Sequence, residues 1–323
     1  MLSVDAKGVF PIAPTPFLAD GTIDAASVDR MIDHYVAAGA DGCTILGIMG
    51  EAPKLDHDEA IDFVRCCIAR APKLPFIVGV SAPGFAAMRA LSHAVMAKGA
   101  AGVMIAPPPS LRTDDQIVTY YAQAVEAIGA DIPFVIQDYP LTLSVIMTPN
   151  VIRRIITDNP SCVMLKHEDW PGLEKISALR RFEKEGKLRH VPILTGNGGL
   201  FLDFEMERGV DGAMTGYAFP EMLIDVVRVS RERRREEAHD LLDAHLPLVR
   251  YEQQQGAGLA TRKYVMMRRG ILASDAQRKP GASLSPTAKA EVDYLLTRLA
   301  RRKAGLKLGR MSATDDQPRY SMM

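Results

Sequence analysis

The strongest constraint in this sequence is a repeat. Short apolar runs bounded by Gly or Pro recur eight times before residue 217, at 9–13, 42–46, 76–80, 102–106, 134–138, 162–166, 192–196 and 212–216. Between them lie stretches with helical period at 24–38, 57–71, 85–98, 113–128, 148–157, 173–185 and 200–208. Runs this short and this apolar suit strands buried on both faces, the condition of a parallel sheet. The intervening stretches are long enough to carry the crossovers that parallel strands need. Eight such units predict an α/β fold, a closed TIM (β/α)8 barrel. Beyond residue 216 the pattern is helical only, at 221–230, 233–255, 259–269 and 286–303, so a C-terminal helical extension is expected. The domain reading is a barrel over 1–230, a helical region over 231–304, and a disordered tail over 305–323, which is polar and aperiodic.

Punctuation supports the helices. Asp24 is placed to cap one, Thr113 with Gln116 forms a capping-box pattern, and Gly39, Gly99 and Gly129 fall where helices should stop. Composition narrows the partners. Lys plus Arg equals Asp plus Glu, 39 each in 323 residues, so nothing electrostatic calls for a nucleic acid or an anionic membrane. No apolar run approaches the roughly 20 residues of a membrane span, and the reading is a soluble, cytoplasmic protein. The four cysteines make no Cys-x-x-Cys pair and read as free thiols. Seven scattered histidines offer no His-x-x-x-His spacing, so a protein-built zinc site is not expected.

In such a barrel the site lies at the C-terminal ends of the strands. The sixth run ends in Lys166, followed by His167, Glu168, Asp169 and Trp170. A lysine with its stem in a core is desolvated, which lowers its pKa and frees amine to attack a carbonyl carbon. The competing reading is a lysine that snorkels to solvent. What favours chemistry is convergence of polar groups at the same mouth. Strand two is followed by Gly47, Ile48, Met49, Gly50 and Glu51, a turn whose backbone N–H groups could hold an anion. Strand five ends in Gln137 and Asp138, strand seven in Gly196, Asn197 and Gly198, and strand eight in Thr215 and Gly216. Alternation along a strand turns Asp138 opposite to Gln137 and His167 opposite to Lys166, although strand ends often break it; Asp138, His167 and Glu168 are the candidate proton carriers. Lys166, Gln137 and Asp138 are therefore the expected catalytic residues, and the loop residues above the expected substrate contacts.

The opening Gly8-Val9-Phe10-Pro11 with Thr15-Pro16-Phe17, the Gly47-x-x-Gly50-Glu51 turn and the lysine ending strand six resemble the dihydrodipicolinate synthase / N-acetylneuraminate lyase family. The likeness covers about Lys7 to Ala300. It implies a class I, Schiff-base lyase or aldolase acting on 2-oxo acids, a homotetramer, without metal or organic cofactor. The chain departs from the pattern in four places. The hydroxyl residues inside the Gly-x-x-Gly-Glu turn, which in the family hold the substrate carboxylate, are Ile48 and Met49 here. The proton-relaying tyrosine falls at Gln137, with Tyr139 two positions on and not expected to fill its place. The aromatic lent by a neighbouring subunit in the synthases falls within Pro107-Pro108-Pro109, and the arginine that binds a second carboxylate falls at Thr142.

The expectation is thus a Schiff-base lyase, aldolase or dehydratase acting through Lys166 on a pyruvate-type or keto-deoxy sugar acid. Two alternatives stay inside the family, 4-hydroxy-tetrahydrodipicolinate synthase proper and a non-catalytic small-molecule-binding descendant. A phosphosugar enzyme is a further alternative, but the loops 196–199 and 216–219 carry no basic residue. A homo-oligomer is also expected, because Leu241, Leu242, Leu246 and Val249 form an apolar stripe beyond what covering a barrel requires.

Overall fold

A computed structural model describes residues 1–312, with side chains through 305. Eight strands form one sheet: β1 (Gly8–Val9), β2 (Cys43–Ile45), β3 (Phe76–Gly79), β4 (Gly102–Ile105), β5 (Phe134–Asp138), β6 (Cys162–His167), β7 (Ile193–Thr195) and β8 (Gly212–Ala213). Their order is β1-β8-β7-β6-β5-β4-β3-β2, every pair parallel. Pro11 and Pro14 cannot donate to a ladder, which keeps β1 short. One further parallel bridge, Ile12 to Thr44, joins the two ends of that order and closes the (β/α)8 barrel.

The helices fall where the period put them: α1 (Ala25–Ala38), α2 (His57–Arg70), α3 (Phe85–Ala97), α4 (Asp114–Ile128), α6 (Pro149–Asp158), α7 (Leu173–Lys184), α8 (Leu202–Glu207) and α9 (Pro220–Arg231). One short turn, α5 (Pro140–Leu143), was not legible and follows β5 directly. Asp24 accepts from the Ser27 N–H, and Thr113 with Gln116 forms a complete capping box, so both starts are satisfied as their residues suggested. α10 (Arg235–Glu252), α11 (Gly258–Arg268) and α12 (Pro286–Ser312) complete the chain. α12 runs into the segment read as a tail from residue 305; residues 313–323 lie outside the described residues.

Two apolar layers follow from strand alternation. Phe10, Ile12, Ile77, Met104, Val135, Met164, Leu194 and Met214 fill the barrel interior. Residues of opposite phase, among them Val9, Cys43, Ile45, Val78, Ile105, Ile136 and Ala213, pack outward against the helices. On β6 the phase changes within the strand. Cys162 pairs with Phe134 and packs outward, yet Val135 pairs with Met164, which packs inward. Val163 is the extra residue of a β-bulge, and without it alternation from Cys162 would send Lys166 out of the barrel.

The apolar stripe on α10 contributes to the core. Leu242 and Val249 are 1% and 0% exposed, and Leu241 and Leu246 pack on the same core cluster. Much of the stripe is covered within the chain, where α10 lies against α8, α9 and α12, while Leu241 and Leu246 remain partly exposed.

Candidate active site

The barrel mouth holds a cavity of about 490 Å³, within the range of small-molecule sites. β5 and β6 set its floor. Gln137 pairs in register with Lys166, so both side chains point inward. Two residues further on, Glu168 also faces in. Lys166 Nζ lies 2.8 Å from Glu168 Oε2, and the Gln137 amide donates to that same oxygen at 2.8 Å. All three residues are buried, at 4%, 6% and 3% exposure, yet all line the cavity. A buried ion pair is a poor means of stabilising a fold, because desolvation offsets its attraction. Placed on a cavity, it is a proton donor and acceptor in contact.

Of the three candidate proton carriers, Glu168 is the one that lies beside Lys166 at the cavity. Asn197, held in the left-handed region at φ 51°, donates from its amide to the Glu168 carbonyl at 3.1 Å and fixes that residue's backbone. Thr215 accepts from the Gly198 N–H at 2.8 Å, tying the loop after β7 to the end of β8.

The glycines of these loops do something other than cradle an anion. A Cβ on Gly196 would lie 2.2 Å from Glu168 Cγ, one on Gly198 2.3 Å from Gln253 Nε2, and one on Gly216 1.4 Å from Arg262 Nη1. Each glycine makes room for a polar side chain arriving from elsewhere. Gln253 and Arg262 come from the helical region, where Arg262 bonds the Gly216 carbonyl at 2.6 Å and pairs with Glu252 at 2.5 Å. Burial pushes the Glu252 carboxyl up, against the pull of Arg262. A basic residue thus does lie at the eighth-strand loop. It was not legible because it comes 46 residues after Gly216.

Several expected site residues are placed differently. Asp138 does not face the cavity: alternation turns it outward, where its carboxylate accepts from Lys175 at 2.8 Å and lies 3.4 Å from His167 Nδ1. It is fully buried beneath α7 and belongs to a polar cluster off the cavity. Glu51 also points away, held by Lys263 at 2.5 Å, Lys54 at 2.7 Å and the Arg278 N–H at 3.1 Å. It ties the turn to α11 and does not line the cavity. Of the Gly47–Glu51 turn only Ile48 and Met49 reach the cavity, at the opening of a 3-10 turn whose first amides have no partner within it. Thr15 donates to the Gly50 carbonyl at 2.6 Å and supports the turn from beneath. Tyr139, set aside on spacing, does line the cavity with Leu141 and Thr142. Burial pushes its hydroxyl pKa up, so it stays protonated near neutrality.

An eight-stranded barrel with a lysine paired to a carboxylate inside the mouth of its sixth strand is the frame of a class I aldolase-type lyase. Comparison with known proteins agrees. The profile of the dihydrodipicolinate synthetase family matches residues 5–299. An L-2-keto-3-deoxyarabonate dehydratase of Azospirillum brasilense is 31% identical over 298 residues, covering 91% of this chain and 94% of the relative. A 4-hydroxy-tetrahydrodipicolinate synthase of Persephonella marina is 29% identical over 246 residues, 75% of this chain and 81% of its own. The crystal structure of a dihydrodipicolinate synthase from Rhodopseudomonas palustris superposes with TM-score 0.91 at 66% identity, covering 92% of this chain and 99% of that one. The chain belongs to the dihydrodipicolinate synthetase family and is a lyase of the class I aldolase type.

Proposed function

We propose that this enzyme forms a Schiff base between Lys166 and a 2-oxo acid, with a keto-deoxy sugar acid as the preferred substrate. The observation that carries the reading is the Lys166–Glu168–Gln137 group opening on the cavity. Glu168 takes a proton from Nζ, and the amine adds to the C2 carbonyl. On addition one amine proton passes to the carbonyl oxygen to give the carbinolamine; the proton held by Glu168 then goes to that hydroxyl, which leaves as water, so one C=O bond becomes one protonated C=N bond. The protonated imine then withdraws electrons from C3. Loss of a C3 proton to Glu168 gives an enamine, whose electron pair expels the C4 hydroxyl as water when Glu168 returns that proton to it; in the aldol branch the protonated imine instead takes the electrons of the C3–C4 bond while the C4 hydroxyl gives its proton to Glu168 and becomes a carbonyl. Gln137 cannot relay protons and serves by holding Glu168 Oε2 on Lys166. Tyr139 is a second donor at the mouth. The substrate carboxylate rests on the first amides of the Ile48–Gly50 turn, since Ile48 and Met49 offer no hydroxyl.

The relative that acts on a keto-deoxy sugar acid supports the dehydration branch. The second reading is condensation in the manner of the synthases, favoured by the 66% identical chain described as one. Against it, Thr142 lines the cavity where a cation for a second carboxylate is needed. The proposal includes a cytoplasmic homo-oligomer, a tetramer. Family membership supports the oligomer, and Ile146 beyond α5 is 69% exposed and open to a partner. Among the described residues no helix is long and apolar enough to cross a membrane.

Borohydride treatment with pyruvate or a 2-oxo-3-deoxy pentonic acid, followed by mass spectrometry, tests the reading. The expected result is one covalent adduct, on Lys166, lost in Lys166→Ala. An intact protein that takes no adduct from either acid overturns it in favour of a non-catalytic binder. Efficient consumption of pyruvate with aspartate semialdehyde overturns the substrate assignment alone.

A further inference from the structure

We infer that Arg262 and Gln253, brought to the barrel mouth from the helical region, form a distal subsite that reads a hydroxyl on the far end of the substrate. The inference rests on the Schiff-base reading and assigns the other end of the same cavity. Arg262 is 3% exposed and lines the cavity. Two of its three nitrogens are committed, Nε to Glu252 and Nη2 to the Gly216 carbonyl. Nη1 has no hydrogen-bond partner among the described residues. Nη1 lies over Gly216, which also lines the cavity. A buried guanidinium N–H without a partner costs free energy, and an oxygen brought to this wall of the cavity can accept from it.

The charges decide what that oxygen belongs to. The cavity contains two cations and two carboxylates already matched, Lys166 with Glu168 and Arg262 with Glu252. A second substrate carboxylate would have to compete with Glu252 for one guanidinium and would lie beside a like charge. A hydroxyl accepts from Nη1 and brings no charge. The rest of this end is uncharged and polar: Gln253 sits over Gly198, and Gln254 and Gln255 line the rim. A neutral tail with several hydroxyls fits this lining, and a phosphate or dicarboxylate does not. Gly216 is the sequence requirement for the subsite, because any Cβ there would occupy the position of Nη1.

The test compares half-saturation of borohydride trapping at Lys166 for three acids: pyruvate, a 2-oxo-3-deoxy pentonic acid, and 2-oxoglutarate. Wild-type protein is expected to favour the hydroxylated acid over both others. Arg262→Gln is expected to reduce that preference by on the order of tenfold or more, the loss of one hydrogen bond from a charged donor. Because Arg262→Gln leaves Glu252 buried without its cation, the paired Arg262→Gln/Glu252→Gln and the separate Gly216→Ala serve as further probes. Gly216→Ala displaces the guanidinium without touching its charge, and the same fall in preference is expected from each. A fall shared equally by all three acids makes Arg262 merely structural and overturns the inference, as does an unchanged preference or a wild-type preference for 2-oxoglutarate. Trapping of pyruvate in wild-type protein keeps these outcomes separate from failure of the Schiff-base reading, which would remove both.

Discussion

The two faces of the β5–β6 pair carry two polar clusters built from alternate residues. Gln137, Lys166 and Glu168 face the barrel interior; Asp138 and His167 face outward, where Lys175 of α7 closes over them and also pairs with Asp169 at 2.6 Å. By residue type the outward cluster is the richer in candidates for acid–base work, with a histidine, two aspartates and a lysine. It is nonetheless sealed: Asp138 is 0% exposed, and neither it nor His167 touches the cavity. The difference between the two is access. Titratable side chains make a site only where a substrate can reach them, and on these strands a single step in alternation decides that.

The comparison breaks most easily at its inward end. Lys166→Ala is expected to remove turnover and borohydride trapping together, while the fold, read by circular dichroism and thermal unfolding, persists. If that variant still traps the acid on another lysine, the inward cluster is not the site. Glu168→Gln keeps the shape and a hydrogen bond to Lys166 but cannot take a proton. Turnover is expected to fall by about 10²–10⁴-fold, the usual weight of a positioned acid–base group. A fall confined to KM, with kcat unchanged, would make Glu168 a binding group only.

How much of this was legible in the sequence follows from the reach of each signal. Alternation and helical period are local, so all eight strands, Lys166 and the opposed directions of Gln137 and Asp138 could be read directly. The bulge at Val163 has no local mark. Lys166 faces inward only because that residue resets the phase, and a strict alternation from Cys162 would have placed it wrongly. Tyr139 was discounted as two positions displaced, yet two positions is one full period of a strand, which returns it to the inward face. The glycines at 196, 198 and 216 were visible as glycines, but their purpose lies in Glu168, Gln253 and Arg262, which arrive from other elements. On α10 the apolar period was legible, and what covers most of it, α8, α9 and α12, comes from tertiary packing.

The outward cluster predicts loss of stability rather than of chemistry. Lys175 is 8% exposed and is the cation between Asp138 and Asp169. Lys175→Met leaves two carboxylates near one another with their cation gone, at an expected cost of about 3–5 kcal/mol in urea unfolding. The folded fraction should still trap pyruvate on Lys166 at the wild-type rate. A variant as stable as wild type but unable to form the adduct would invert the roles of the two faces.

The smallest effect sharpens the comparison from the neighbouring helix. Glu205 on α8 is 8% exposed, its Oε2 has no hydrogen-bond partner among the described residues, and burial pushes its carboxyl from 4.5 up to about 7. A hydrogen bond from Thr195 and the charge of His167 act in the opposite direction without prevailing. The folded state therefore holds this proton more tightly than the unfolded chain. The stability it contributes is complete below the unfolded value, declines as pH rises through about 7, and is absent above. Glu205→Gln fixes the neutral form. Relative to wild type, the variant should gain stability steadily between roughly pH 4.5 and 7, by on the order of 3 kcal/mol, with no further change at higher pH. Paired denaturation curves across that interval measure the difference directly, and the comparison cancels the titration of every other group. A difference that does not depend on pH would show Glu205 ionised in the folded protein and the outward layer more open to water than its burial implies.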